Sequence, residues 1–347
     1  MKLLLKSIKS AILRGLVAID PTLLEPEVLL RPSQFVRVLK SRPSRVVQRL
    51  TPHDRSPEFT SVRLAWGVTI RVRPAEFVGA FIYNRGLYDI DVCETIWRLL
   101  DAGECAVDVG ANIGQMVSLM ATKIGVHGRA IAVEPHPEIY QELLFNTNRW
   151  ANENDIAAIE CYEMALSDQQ GEDFLRVPKC FRENRGVAAL DASGDGRDDV
   201  NVSLIKIEKT TLDHMVDHQT STVGVMKIDV EGHELSVLKG ASQLIEQNKI
   251  RDIIFEERAN YPTAVTQFLE SYGYTIFHLS HTLSGLKIEP LAGKHLTIPY
   301  FINCLATVDP ERALERLATQ GWQALGVPAV VGNVLSFASR SAGQISL

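Results

Sequence analysis

Two acid-bearing glycine turns carry most of the chemistry available to this chain. The first, Asp108-Val109-Gly110-Ala111-Asn112-Ile113-Gly114, closes an apolar run and opens a helical pattern. Glycines at such a junction let the chain turn tightly and let a ligand approach backbone N–H groups. The N-terminus of the helix that follows favours an anionic group, and the Asp108 carboxylate can hold a cation. Glu134, about 20 residues after the loop, can accept hydrogen bonds from both hydroxyls of a ribose, and Pro135 stops the strand behind it. The residue types therefore describe a grip on an adenosine whose far end carries both charges.

Two cofactors fit that grip locally: a nicotinamide dinucleotide and S-adenosylmethionine. The loop spacing G-x-x-x-G, in place of G-x-G-x-x-G, counts against the dinucleotide. With S-adenosylmethionine, the amino-acid carboxylate would meet the helix N-terminus while Asp108 holds the ammonium. Ser167-Asp168 ends a third apolar run, where Ala165, Leu166 and Ser167 can line an adenine and Asp168 can accept from its amino group. An ordinary turn closed by Gly171 reads equally well.

The second turn, Lys227-Ile228-Asp229-Val230-Glu231-Gly232-His233-Glu234, ends a fourth apolar run. Asp229 is placed to face the ligand crevice, to hold a cofactor ammonium or to take a proton from an acceptor. Glu231 and His233 follow on the same loop. His233 has the best-matched basicity near neutral pH, although it reads at least as well as a cap on the next helix. Glu256 and Glu257 end the fifth run. Asp229, Glu231, His233 and Glu256 could together ligate Mg²⁺, but no spacing among them is that of a metal site, and no metal is expected.

These residues need strands and helices in alternation to bring them together. Ala106–Val109, Ala130–Glu134, Ile159–Leu166, Val223–Asp229, Ile250–Glu256, Tyr274–Leu279 and Pro299–Val308 read as seven strands. Helices are expected over Pro137–Trp150, Glu234–Glu246 and Val265–Tyr272. Such alternation implies right-handed βαβ units in a doubly wound α/β fold: a mostly parallel sheet covered on both faces, with ligands beyond the carboxyl ends of its strands. The alternation lapses over 171–213, where Phe174–Val177 and Val202–Glu208 read as strands of a β insertion, either a surface hairpin or a cap over the substrate. Upstream, Val62–Leu64 and Val68–Val72 flank Trp66-Gly67 as a hairpin, and Asp91–Leu100 reads as a helix leading into the domain. The chain thus divides into a basic helical extension (1–56), a hairpin-and-helix segment (57–103), the main α/β domain (104–309) and a C-terminal helix and tail (310–347).

The 347 residues balance 46% hydrophobic against 22% charged, an ordinary globular composition with room for a large core. The net charge of -6 argues against nucleic acid as a partner. Five cysteines, none at C-x-x-C spacing, suggest neither zinc nor disulfides and fit a reducing cytoplasm. Lys6, Lys9 and Arg14 interrupt the apolar N-terminus, so it reads as neither a signal peptide nor a membrane span. It reads instead as a basic amphipathic helix, packed on its own domain, on a twin subunit in a homodimer or on an anionic membrane surface.

The two turns, taken with Leu238-Lys239-Gly240-Ala241, Glu134-Pro135 and Gly86-Leu87-Tyr88, resemble the FkbM family of methyltransferases. The family's K-I-D-V-E-G-x-E and D-V-G-A-N-I-G segments stand unaltered at 227–234 and 108–114. After Tyr88, where the family often has Glu, this chain has Asp89. The resemblance runs from about Gly67 to Val308. It implies a class I methyltransferase (Rossmann-like) fold, S-adenosylmethionine as cofactor, and O-methylation of a hydroxyl on a sugar, secondary metabolite or other small-molecule acceptor. Two other readings stay open: an NAD(P)-dependent oxidoreductase, which leaves 227–234 without a role, and a non-catalytic binding protein on the same scaffold.

Overall fold

The computed structural model describes residues 58–326 apart from 154, 179–180, 182–183, 191–201, 217–221, 283–284 and 293–301. The expected basic helix within 1–56 and the tail beyond 326 lie outside the described residues. A hairpin comes first: β1 (Thr60–Arg63) pairs antiparallel with β2 (Thr69–Val72). Trp66 in its turn is buried and donates Nε1–H to Ser118 Oγ at 3.0 Å, which fastens the hairpin to the main domain. Helix α1 (Phe77–Arg85) follows, capped by Glu76, whose carboxylate accepts from the amides of Val78 and Gly79. The sequence reading assigned nothing to this helix, which carries a glycine, Gly79, in its first turns. That glycine is required by close packing, since a Cβ there would lie 2.2 Å from the Arg73 carbonyl oxygen.

The remaining elements run α2 (Ile90–Leu99), β3 (Cys105–Val109), α3 (Gln115–Ile124), β4 (Arg129–Val133), α4 (Pro137–Glu153), β5 (Ala158–Tyr162), β6 (Ala165–Leu166), β7 (Gly171–Pro178) and β8 (Ala189–Leu190). Next come β9 (Val202–Thr210), α5 (Leu212–Met215), β10 (Val223–Ile228), α6 (Glu234–Lys239), α7 (Ser242–Glu246) and β11 (Ile250–Glu257). The chain continues through α8 (Ala264–Ser271), β12 (Thr275–Thr282), β13 (Gly285–Pro290), β14 (Ile302–Thr307) and α9 (Pro310–Leu317).

The main sheet has the order β13-β12-β14-β11-β10-β3-β4-β5. The five strands from β11 to β5 are parallel, and β14, β12 and β13 are joined antiparallel at the other end. This is the Rossmann-like α/β arrangement of class I methyltransferases. Among the described residues this sheet has eight strands where seven were expected, because β13 pairs back on β12, which the sequence reading missed. The expected third strand is broken too: β5 stays in the main sheet, while β6 leaves it to pair with β9. The expected helix over 234–246 is two short helices, α6 and α7, with the break at Gly240-Ala241.

Neighbouring residues on the central strands feed opposite cores, as the two-residue period of a strand demands. Ala106 and Val225 pack with α2 and α3 on one face, and Val107 and Met226 pack with α6 and α7 on the other. All six residues of β10 are buried, so it can lie only in the middle of a covered sheet. The small sheet, order β6-β9-β7-β8, joins β6 to three strands of the 171–213 segment, with β7 and β9 paired from Gly171↔Lys209 to Pro178↔Val202.

A buried ion pair ties the C-terminal turn to the domain. Glu94 and Arg98 on α2 are almost fully enclosed, 2.6 Å apart. The Glu94 carboxylate accepts from the amides of Gln323 and Ala324, and Arg98 donates to the carbonyls of Thr319 and Gly321. Each charge satisfies the other and four backbone groups, so removing one strands the rest. Arg98→Met is expected to lower unfolding stability by about 3–5 kcal/mol, read from urea denaturation. A loss under 1 kcal/mol would mean the pair is solvated.

Candidate active site

A cleft of about 370 Å³ opens at the carboxyl ends of β3, β4 and β10, within the size range of small-molecule sites. Its floor is the first glycine turn. Gly110 adopts φ +76, and a Cβ there would fall 2.0 Å from the Asp229 carbonyl oxygen, so the turns after β3 and β10 touch backbone to backbone. Only glycine fits both the conformation and the contact. Gly110, Ala111 and Asn112 line the cleft, and Gly114 lies behind it, packed against Leu143 and Trp150 at the start of α3.

The loop's amides are spent within the protein. Those of Gly110 and Ala111 donate to the Val133 carbonyl, that of Gly114 to Ala111, and that of Asn112 to Glu134 at 3.0 Å. Glu134 also accepts from the His136 amide at 2.9 Å and lines the cleft beside Pro135. Burial raises its carboxyl to about 7 against the opposing pull of those two amides. Each oxygen keeps a second lone pair for a ligand hydroxyl.

Asp108, expected to face the ligand, is sealed beneath the turn with no exposed surface and does not line the cleft. Its partner is Lys227, inside β10. The Lys227 ammonium sits 3.4 Å from Asp108 and 3.4 Å from Asp229, and donates to the Gly110 carbonyl at 3.1 Å. At 3.4 Å the two carboxylate contacts are ionic rather than well-aligned hydrogen bonds. Burial alone would drive Lys227 toward neutrality, but Asp108 and Asp229 outweigh it and keep the ammonium charged. Burial pushes Asp108 the other way, above the usual carboxylate range, with Lys227 opposing. The sequence reading assigned Lys227 no role, and its only signal was a charge inside an otherwise apolar run.

Asp229, Glu231, His233 and Glu256 all line the cleft. Glu231 and Glu256 converge on Arg258, 2.5 and 2.9 Å from its Nη2. His233 turns toward the third-strand end: its Nε2 lies 3.0 Å from Ser167 Oγ, which in turn reaches Asp168. Burial lowers the His233 imidazole, with Asp168 opposing. Ala165 and Leu166 line the cleft, whereas Ser167 and Asp168 stand one layer behind His233. Among the described residues no group of three or more His, Cys, Asp or Glu side chains is arranged to hold a metal ion.

Residues to which the sequence reading gave no site role, Tyr88 and Asp89 of the resembling turn among them, complete the walls. Tyr88, Asp89, Gln115 and Asn303 close the side beside α2. The inserted segment closes another through Asn184 to Gly186 and Leu190. It is pinned there by Arg185, which pairs with Glu138 and Glu142 on α4 while its amide donates to Glu76. Phe181 stacks on His136, 4.3 Å between centroids. Burial and the nearby Arg185 hold the His136 imidazole down at about 4, so it stays neutral.

The cleft chemistry suits S-adenosylmethionine. A glycine turn that a Cβ would fill faces the two Glu134 oxygens, and Asp229, Glu231 and Glu256 add further carboxylates to the lining, a donor set that fits a cationic, hydroxyl-bearing ligand.

Residues 108–276 match the family model described as the methyltransferase FkbM domain. Hexuronic acid methyltransferase AglP of Haloferax volcanii is 28% identical over 200 residues, 52% of this chain and 74% of that protein. Methyltransferase sdnD of Sordaria araneosa is 25% identical over 226 residues, 58% of this chain and 83% of that one. A solved FkbM methyltransferase from Methylobacillus flagellatus is 18% identical at a TM-score of 0.38, covering 67% of this chain and about half, 48%, of the other.

Lys227 offers the sharpest test of this architecture. Lys227→Met should cost about 3–5 kcal/mol of stability at pH 8, because two carboxylates lose a shared buried cation. Asp108 is raised in the fold, so its charge costs stability as pH rises and costs most without Lys227. The deficit should shrink toward pH 5, and equal deficits at both pH values in thermal unfolding would contradict the assignment.

Proposed function

We propose, on the premise that the chain belongs through residues 108–276 to the FkbM family of S-adenosylmethionine-dependent methyltransferases, that this cleft methylates a hydroxyl of a sugar or related polyhydroxylated small molecule. The observation carrying the reading is the meeting of three elements in one cleft: the 110–114 turn, Glu134 and Asp229, on three adjacent parallel strands. The chain's 28% identity over 200 residues to a hexuronic acid methyltransferase supports a carbohydrate acceptor. When bound, the cofactor supplies a methyl group already activated on a sulfonium.

In this reading Glu134 accepts the ribose hydroxyls, and the Gly110–Asn112 backbone and Pro135 form the walls of the nucleoside site. Ala165 and Leu166 line the adenine, and Ser167, Asp168 and His233 brace that end. His233 is thus a bracing residue rather than the base. Asp229, with its carboxylate partly open to solvent, is left to orient the acceptor and take its proton. Glu231 and Glu256, fixed by Arg258, shape the acceptor side. An oxidoreductase would instead bind NADH in place of S-adenosylhomocysteine.

Calorimetry with S-adenosylhomocysteine and NADH separates the classes, and radiolabelled methyl transfer to a panel of neutral and uronic methyl glycosides tests the acceptor. Asp229→Asn is expected to cut turnover ~10²–10⁴-fold while S-adenosylhomocysteine still binds. Retained turnover would remove Asp229 from the chemistry. Because Glu134 gives up its proton near 7 and the ionised form is the better acceptor for ribose, cofactor affinity should tighten from pH 6 to pH 8. Glu134→Gln should flatten that dependence and weaken binding by about 10- to 100-fold.

A further inference from the structure

Resting on the carbohydrate reading above, we propose that the acceptor is a neutral pyranose whose apolar face lies on the ring of Phe77. The bulky apolar side chains exposed among the described residues are Phe77, Tyr83, Val126, Phe145 and Leu314. Phe77 alone of these lines the cleft, and 42% of its surface is open. An open aromatic ring on the wall of a crevice with convergent polar groups marks a binding surface. The face of such a ring is negative, and the C–H groups on one side of a pyranose are weakly positive partners for it.

The ring is braced by its neighbours. Phe81, one turn further along α1, lies 4.9 Å from it, and Tyr88 packs edge-on at 6.2 Å. Tyr88 also meets Phe81 edge-on at 5.6 Å, so the three rings form one cluster. Tyr88 ties that cluster to the reacting side of the cleft: its phenol is pushed up by burial, then by Asp89, Asp229, Glu256 and Glu231. The backbone of Phe77 is fixed as well. Glu76 caps α1 by accepting from the amides of Val78 at 3.1 Å and Gly79 at 2.7 Å, and the same carboxylate accepts from the Arg185 amide at 3.2 Å. One side chain therefore sets Phe77 and the Asn184–Gly186 stretch beside each other on the cleft wall.

The charges of the cleft argue for a neutral ring. Its cations are Arg185, Lys227 and Arg258, and each already faces two carboxylates. Arg185 meets Glu138 and Glu142, Lys227 meets Asp108 and Asp229, and Arg258 meets Glu231 and Glu256. A uronate would bring a third carboxylate against one of those pairs, and like charges brought together disfavour the partner that carries them. Sugar hydroxyls meet no such conflict, because a carboxylate oxygen that faces an arginine still accepts from an O–H. A pyranose offers both parts of the match: C–H groups for the ring of Phe77 and hydroxyls for the acids around it.

The test measures radiolabelled methyl transfer by the full chain to methyl glucoside, galactoside and mannoside, to their uronic counterparts and to methyl glucosaminide. The best neutral glycoside should exceed the uronic ones in kcat/KM by about 10-fold or more. Phe77→Ala should raise KM for that glycoside about 5- to 30-fold, with kcat and the calorimetric affinity for S-adenosylhomocysteine changed by less than about threefold. Phe77→Tyr, which keeps the aromatic face, should hold KM within about threefold of the wild type. Phe77→Leu, which keeps bulk without the face, should raise KM and serves if Phe77→Ala does not fold. A preference for uronic or amino glycosides would overturn the neutral ring. An unchanged KM, or a loss of S-adenosylhomocysteine affinity as large as the rise in KM, would overturn the platform; these outcomes leave the carbohydrate reading standing. Transfer to no glycoside at all would overturn that reading, and this assignment with it.

Discussion

One buried ammonium holds the two halves of the site in register. Lys227 lies inside the most enclosed strand of the sheet and touches Asp108 on β3, Asp229 on its own turn and the carbonyl of Gly110. A lysine is seldom retained in such surroundings unless carboxylates hold its charge. Here they do, and the pairing pulls the turns after β3 and β10 together until glycine is the only residue that fits between them. The cleft floor, the position of Asp229 and the path into α3 all follow from that contact.

Much of this was legible before any coordinates. The alternation of apolar runs gave the order of strands along the chain, and the two acid-glycine turns marked both ends of the crevice floor. Gly110, Ala111, Asn112, Glu134, Pro135, Leu166, Asp229, Glu231 and His233 do converge on one cleft. What escaped was everything set by tertiary contact. The direction in which Asp108 points depends on a lysine 119 residues away in sequence, so local pattern assigned it to the ligand. The β12–β13 pairing lies beside a Ser284-Gly285 turn pair that the sequence reading passed over. The walls at Tyr88, Asp89 and Asn303 come from segments far apart in sequence, and no spacing rule links them.

The electrostatics of the cleft divide along its length. At one end Glu134 is desolvated and basic enough to exchange its proton near neutrality. Toward Tyr88 the phenol is pushed up by burial, then by Asp89, Asp229, Glu256 and Glu231, which maps a strongly negative field on that side. A field of that sign suits a cationic methyl donor and discourages polyanions, consistent with the overall negative balance of the chain.

The inserted segment is held to the rest of the molecule by charge as well as by the buried Leu175, Val177 and Ile207. Arg185, Glu76, Glu138, Glu142 and the His136–Phe181 stack clamp one short stretch against α1 and α4, while β7 and β9 extend from it as a paired ribbon. Because Asn184 to Gly186 wall the cleft from outside the main sheet, a substitution in that stretch would reshape the rim while leaving the turns after β3 and β10 intact.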